Sequence, residues 1–112
     1  MAIEPVAHAS LFPRLAAVVH HGGAGTTHTA SRAGVPQIVV PHVLDQFYFA
    51  RRVHALGVAP SPIPRRKLSV ERLVETLRAT LENELLGERA RELAQRLAGL
   101  GPVLPDPALV LR

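Results

Sequence analysis

The sequence predicts an α/β domain built around a partial parallel sheet with flanking helices. Three observations carry this reading. Two short β-branched apolar runs, Leu15–Val19 and Gln37–Val40, have the length of buried strands. A glycine-rich turn and a helical segment join them. Further along, leucines recur at helical spacing in two successive stretches.

Leu15–Val19 runs into His20 and His21, and glycines follow at once. Gly25–Ala33 then reads as a helix, with Thr26 and Thr27 where capping hydroxyls belong and Gly34 as the C-terminal stop. After Val35-Pro36, the run Gln37–Val40 is closed by Pro41 and reads as a second strand buried on both faces. Strand, helix and strand make a βαβ unit, for which a right-handed crossover is expected. A second helix is predicted from Asp45, with Phe49, Val53 and Leu56 on one face, Arg51 and Arg52 on the other, and Gly57 as its cap. Val58-Ala59 is a candidate short third strand before the Pro60–Pro64 linker. Ser69 is placed to cap a helix carrying Val70, Leu73, Val74, Leu77 and Leu81. Leu86, Ala90, Leu93, Ala94 and Leu97 mark a last helix, ended by Gly99 and Gly101. Residues 1–101 are read as one domain, which the family resemblance given below implies is incomplete at its N-terminus, and 102–112 as an irregular tail.

Composition bounds the possibilities. A chain of 112 residues fits one domain, and 47% hydrophobic with 20% charged residues is ordinary for a globular protein. There is no cysteine, so disulfides and thiol chemistry are excluded. No apolar run is long enough to cross a bilayer, and Met1–Pro5 lacks the basic and apolar regions of a secretory signal. A cytoplasmic location is therefore expected. The net charge of +4 favours an anionic ligand without requiring nucleic acid. Arg65-Arg66-Lys67 lacks interleaved aromatics and reads as a solvated charge run.

In open α/β sheets ligands bind beyond the carboxyl ends of the strands, where His21, Gly22 and Gly23 fall. Gly22, Gly23 and Gly25 let a ligand approach the backbone, while the free N–H groups and dipole of a helix start attract an anion. Thr26 and Thr27 offer hydroxyl donors and His21 an imidazole donor. The spacing matches neither the dinucleotide fingerprint, which would need glycine at His28, nor a Walker loop. The bland reading is tight strand-to-helix packing. Read as an N-cap, Asp45 has an equally bland account, which leaves Gln46 to point into the cleft. His42 and His54 read as surface or packing residues, His20 as facing away from His21 along the strand, and a metal pairing of His21 with His28 lacks supporting carboxylates.

The blocks His20-His21-Gly22-Gly23-Ala24-Gly25-Thr26-Thr27, Ala33-Gly34-Val35-Pro36 and Asp45-Gln46 occur in order and resemble the C-terminal donor motif of family 1 glycosyltransferases. Bacterial antibiotic, macrolide and sterol glycosyltransferases are the members it resembles in particular. The likeness runs from about His8 to Leu97 and weakens after Gly57. It implies the C-terminal portion of a GT-B fold, in which two Rossmann-like domains face each other.

The resemblance further implies a diphosphate held by His21, Gly22, Gly23, Ala24, Gly25 and Thr26, and a donor sugar contacted by Asp45 and Gln46. His8 would retain a nucleoside contact. No metal or other cofactor is expected. Transfer of a hexose from a UDP- or TDP-sugar to a small-molecule hydroxyl would invert the anomeric centre, with the acceptor base in an N-terminal domain outside this chain. No catalytic residue is therefore assigned here. Plant members carry glutamate at the position of Thr29, which leaves both nucleotides open. Two other readings stand beside this one: the donor subunit of a two-chain transferase, and a non-catalytic nucleotide-binding module.

Overall fold

A computed structural model describes residues 16–100. Strand β1 (Val18–His20) pairs in parallel with β2 (Gln37–Val39), in the register Val18 to Gln37, Val19 to Ile38 and His20 to Val39. Helix α1 (Ala24–Ala33) joins them, as the alternation of strand and helix signals predicts. β1 begins later than the apolar run suggests and includes His20. β2 stops one residue before Val40, although the Val40 N–H still donates to the His20 carbonyl at 2.8 Å.

Helix α2 (Asp45–Ala55) follows, then a 3-10 turn at Arg65–Lys67, α3 (Val70–Glu82) and α4 (Glu84–Ala98). Gly34 ends α1 in the left-handed region, at φ 76°, and a side chain there would stand 3.2 Å from Ala94 Cβ on α4. Glycine thus serves the turn and the close approach of α4 together. The Ser69 hydroxyl accepts from the Arg72 N–H at 3.1 Å, as a cap should. Asn83, unremarked in the sequence reading, starts α4 by accepting from Leu85 and Leu86.

β2 is buried on both faces, as expected. Val39 joins Ala50 and Val53 of α2 and Ala90, Leu93 and Leu97 of α4, while Ile38 and Val40 pack with Ile63 under Leu73 and Leu77. β1 is covered on one face by Ala30 and Val35, which meet Val18. Its other face leaves Val19 46% exposed.

Three local expectations are corrected. Val58-Ala59 forms no strand among the described residues: both side chains are buried, but the Val58 carbonyl meets β2 through a single bond from Gln37 N–H. The cap of α2 is Leu56 rather than Gly57, which follows it at φ 79°. The apolar stripe of α3 is only partly used, since Val70, Val74 and Leu81 stay exposed while Leu73 and Leu77 pack inward. Periodicity reveals which face a helix would bury, not whether a partner covers all of it. Residues 102–112 and His8 lie outside the described residues.

Candidate functional site

The carboxyl ends of β1 and β2 bring the glycine turn and the start of α2 together. Gly22 adopts φ 95°, and a Cβ there would stand 2.7 Å from the Gln46 carbonyl oxygen and 3.1 Å from Val39 Cγ1. The turn can close only because residue 22 has no side chain. Gly23 and Gly25 differ, because a Cβ at either would meet nothing within 4 Å. Packing among the described residues does not demand glycine at these two positions, and the space above them is open there.

Gly23 is the N-cap of α1 and offers no side-chain cap, and the first turn carries no acidic residue. The first intrahelical bond runs from the Thr27 N–H to the Gly23 carbonyl at 2.9 Å. The N–H groups of Ala24, Gly25 and Thr26 therefore remain without an acceptor among the described residues, and the helix dipole adds to their positive potential. The capping expected of Thr26 and Thr27 is absent. Thr27 is fully buried and its Oγ1 has no hydrogen-bond partner among the described residues. Thr26 stays half-buried at the open edge.

Beneath the turn runs a directed hydrogen-bond chain that motif reading missed. The Gly22 N–H donates to His20 Nδ1 at 3.0 Å, which leaves the His20 proton on Nε2 to donate to Gln37 Oε1 at 2.8 Å. Gln37 Nε2 donates to Ser31 Oγ at 3.0 Å, and that hydroxyl donates to the Thr27 carbonyl at 2.8 Å. Each donor meets an acceptor in one direction only, so the neutral His20 tautomer is required throughout. Burial, opposed by the Gln37 bond and helped by the nearby His21, lowers the His20 pKa to about 4. The available signal was polar: glutamine and histidine inside otherwise apolar buried strands call for partners.

His21 faces the other way, as strand alternation predicts. Its ring is exposed, and Nδ1 stands 3.4 Å from the Val40 carbonyl, while Nε2 makes no hydrogen bond among the described residues. The ring of His42 packs against it edge-to-face, with centroids 4.1 Å apart and planes at 64°. Desolvation, His21 and Arg65 together lower the His42 pKa. Of the surface and packing readings of His42, the ring contact with the glycine-turn histidine favours packing.

The N-cap reading of Asp45 is corrected. The N-cap of α2 is Leu44, and Asp45 is an exposed first-turn residue with no capping bond. Gln46 does not simply point into the cleft: its Oε1 accepts from the His42 N–H at 2.7 Å and the Val43 N–H at 3.1 Å. His28 is engaged by Arg32, whose Nε donates to His28 Nε2 at 3.1 Å. No group of three or more histidine, aspartate or glutamate side chains gathers as metal ligands among the described residues. A groove of about 450 Å³ touched by His54, Arg72 and Arg89 includes none of the glycine-turn residues. The turn itself is an open shelf.

A strand end, a glycine turn and an uncapped helix start define an α/β domain whose exposed shelf has the chemistry suited to an anion. The chain belongs to the erythromycin biosynthesis protein CIII-like C-terminal domain family, whose model matches residues 2–110. Glycosyltransferase GtfE of Amycolatopsis orientalis is 48% identical over 101 residues, which cover 88% of this chain and 22% of that protein. A sterol 3-beta-glucosyltransferase of Arabidopsis thaliana is 45% identical over 95 residues, covering 85% of this chain and 15% of its own length. Among solved structures, glycosyltransferase VinC in complex with dTDP superimposes with a TM-score of 0.72 at 29% identity, over 93% of this chain and 27% of that one. Spinosyn rhamnosyltransferase SpnG complexed with thymidine diphosphate gives 0.73 at 28% identity, over 93% and 27%. The chain thus spans between about a seventh and a quarter of these relatives. The family and the fold accord with the resemblance carried by the glycine turn.

Proposed function

We propose that this chain is the donor-nucleotide part of a glycosyltransferase, and that its shelf holds the diphosphate of a TDP- or UDP-sugar. The observation that carries the reading is the space over Gly23 and Gly25, unfilled among the described residues, in front of three amides that have no acceptor there, with His21 next along the chain. Relatives of matching fold solved with thymidine diphosphate support the same ligand class.

In the proposed reaction a hexose passes to a hydroxyl of a small-molecule acceptor with inversion and without a metal. As the sugar–phosphate bond breaks, negative charge gathers on the departing diphosphate. Preoriented amides and an imidazole donor at the helix start would stabilise that charge. Asp45 remains exposed at the start of α2, where a carboxylate can accept bonds from sugar hydroxyls. The acceptor and its base would belong to a separate N-terminal domain. The 112-residue chain alone therefore binds nucleotide but transfers no sugar.

Isothermal calorimetry with TDP and UDP tests the binding reading. His21→Ala should weaken affinity by about tenfold, the loss of one charge-assisted phosphate contact of roughly 1.4 kcal/mol. Equal affinity in the wild type and His21→Ala would remove His21 from the site.

A further inference from the structure

The pair His42 and Gln46 is left without a role by a shelf made only of the glycine turn and His21. Gln46 makes one contact with that turn and two with the loop that contains His42. Its carbonyl oxygen lies against Gly22, and its side-chain oxygen accepts from the backbone N–H groups of His42 and Val43. Those two bonds hold the loop that leads into α2. This loop contains Leu44 at φ 42°, an unfavourable conformation for a branched side chain that survives only when neighbouring contacts determine it. The loop in turn sets the backbone of His42, whose ring rests edge-on to His21 at 4.1 Å.

His21 has little else to fix its ring. Its one hydrogen bond among the described residues, to the Val40 carbonyl, is long at 3.4 Å, and the ring is solvent-exposed. An exposed imidazole with one long bond samples several rotamers, and each unproductive one lowers the occupancy of a phosphate-facing nitrogen. A second ring against its edge removes part of that freedom.

We propose that Gln46 and His42 form a brace that orients His21 over the glycine shelf, so both act as positioning residues for diphosphate binding. The inference rests on His21 being a diphosphate ligand. It gives Gln46 a task that does not depend on the donor sugar. Among the described residues the charged and titratable groups that face His42 are His21 and Arg65, which disfavour a proton on His42, so packing rather than charge maintains the contact.

Free TDP, which has no transferable sugar, separates the two tasks of Gln46. For the 112-residue chain, His42→Ala and Gln46→Ala should each weaken TDP binding by about threefold to tenfold, and the double variant should lose no more than the worse single one. Non-additivity of this kind is the mark of residues acting through one another. His42→Phe should restore most of the affinity, because it keeps the edge-to-face ring. Full affinity for TDP in Gln46→Ala, or losses that multiply in the double variant, would overturn the brace.

A second readout needs no nucleotide. The His21 ring proton resonances should shift and sharpen differently in His42→Ala and Gln46→Ala, in the same direction, and His42→Phe should keep a ring-current displacement. Unchanged His21 resonances in both alanine variants would also overturn the proposal. A wild-type chain that fails to bind TDP yet shows these changes would sink the diphosphate reading while leaving the brace in place.

Discussion

His20 shows how a single buried side chain can secure a binding turn without touching the ligand. Its Nδ1 must stay unprotonated to accept the Gly22 N–H, and burial lowers its pKa to about 4 from an ordinary 6.5. A depressed folded pKa means that the unfolded chain takes up the proton first as the solution is acidified. The associated stability is therefore complete above about pH 6.5 and drains away as pH falls toward about 4, by a total on the order of 3 kcal/mol. Urea denaturation at pH 7, 5.5 and 4, with an NMR titration of His20, checks this. A His20 that titrates near 6.5 in the folded chain would contradict it. Gly22 and Gly23 provide a second test at the same scale. Gly22→Ala places a methyl 2.7 Å from the Gln46 carbonyl at φ 95° and should lower stability by more than about 2 kcal/mol. The same change at Gly23 meets open space at φ −62° and should leave stability within about 1 kcal/mol.

At the scale of elements, the start of α1 is where structural and binding demands part company. Gly25 lies inside the first turn with nothing near its missing side chain, so Gly25→Ala should raise stability by up to about 1 kcal/mol through helix propensity alone. The same methyl would occupy the proposed phosphate space and should weaken TDP binding at least tenfold. Thermal melts and calorimetry on one preparation read both effects; a variant that is more stable and binds TDP as well as wild type would show that glycine is not kept there for a ligand. The positions of β1, α1, β2 and α2 could be read from the sequence because apolar runs, glycine stops and spacing agree. Where the reading failed, a tertiary contact outweighed a local rule. Thr27 was drawn into the packing beneath α1 instead of capping it, and Gln46 turned back to its own loop. The His20–Gln37–Ser31 chain joins residues far apart in sequence, which periodicity cannot connect.

Across the whole molecule, the packed and unpacked apolar surfaces divide sharply. Leu97 is 2% exposed in the cluster beneath β2, whereas Val19 on β1 and Val74 on α3 are each 46% exposed. Leu97→Ala should cost about 2–5 kcal/mol as a core truncation, while Val74→Ser should stay within about 0.5 kcal/mol. Urea midpoints of the two variants measure the contrast, and a large loss at Val74 would mean that the α3 face is covered in the 112-residue chain. The family follows from ordered motifs, but the acceptor does not, because the chain spans at most 27% of the relatives compared above. The glycine turn, the three N–H groups at the start of α1 and His21 all lie within the described residues, and the functional proposal depends on them. The most direct measurement is an amide and imidazole NMR map of this chain titrated with TDP. The account predicts the largest shifts at the N–H groups of Ala24, Gly25 and Thr26 and at the His21 ring, whereas shifts centred on the His54, Arg72 and Arg89 groove, with the glycine turn unmoved, would contradict it.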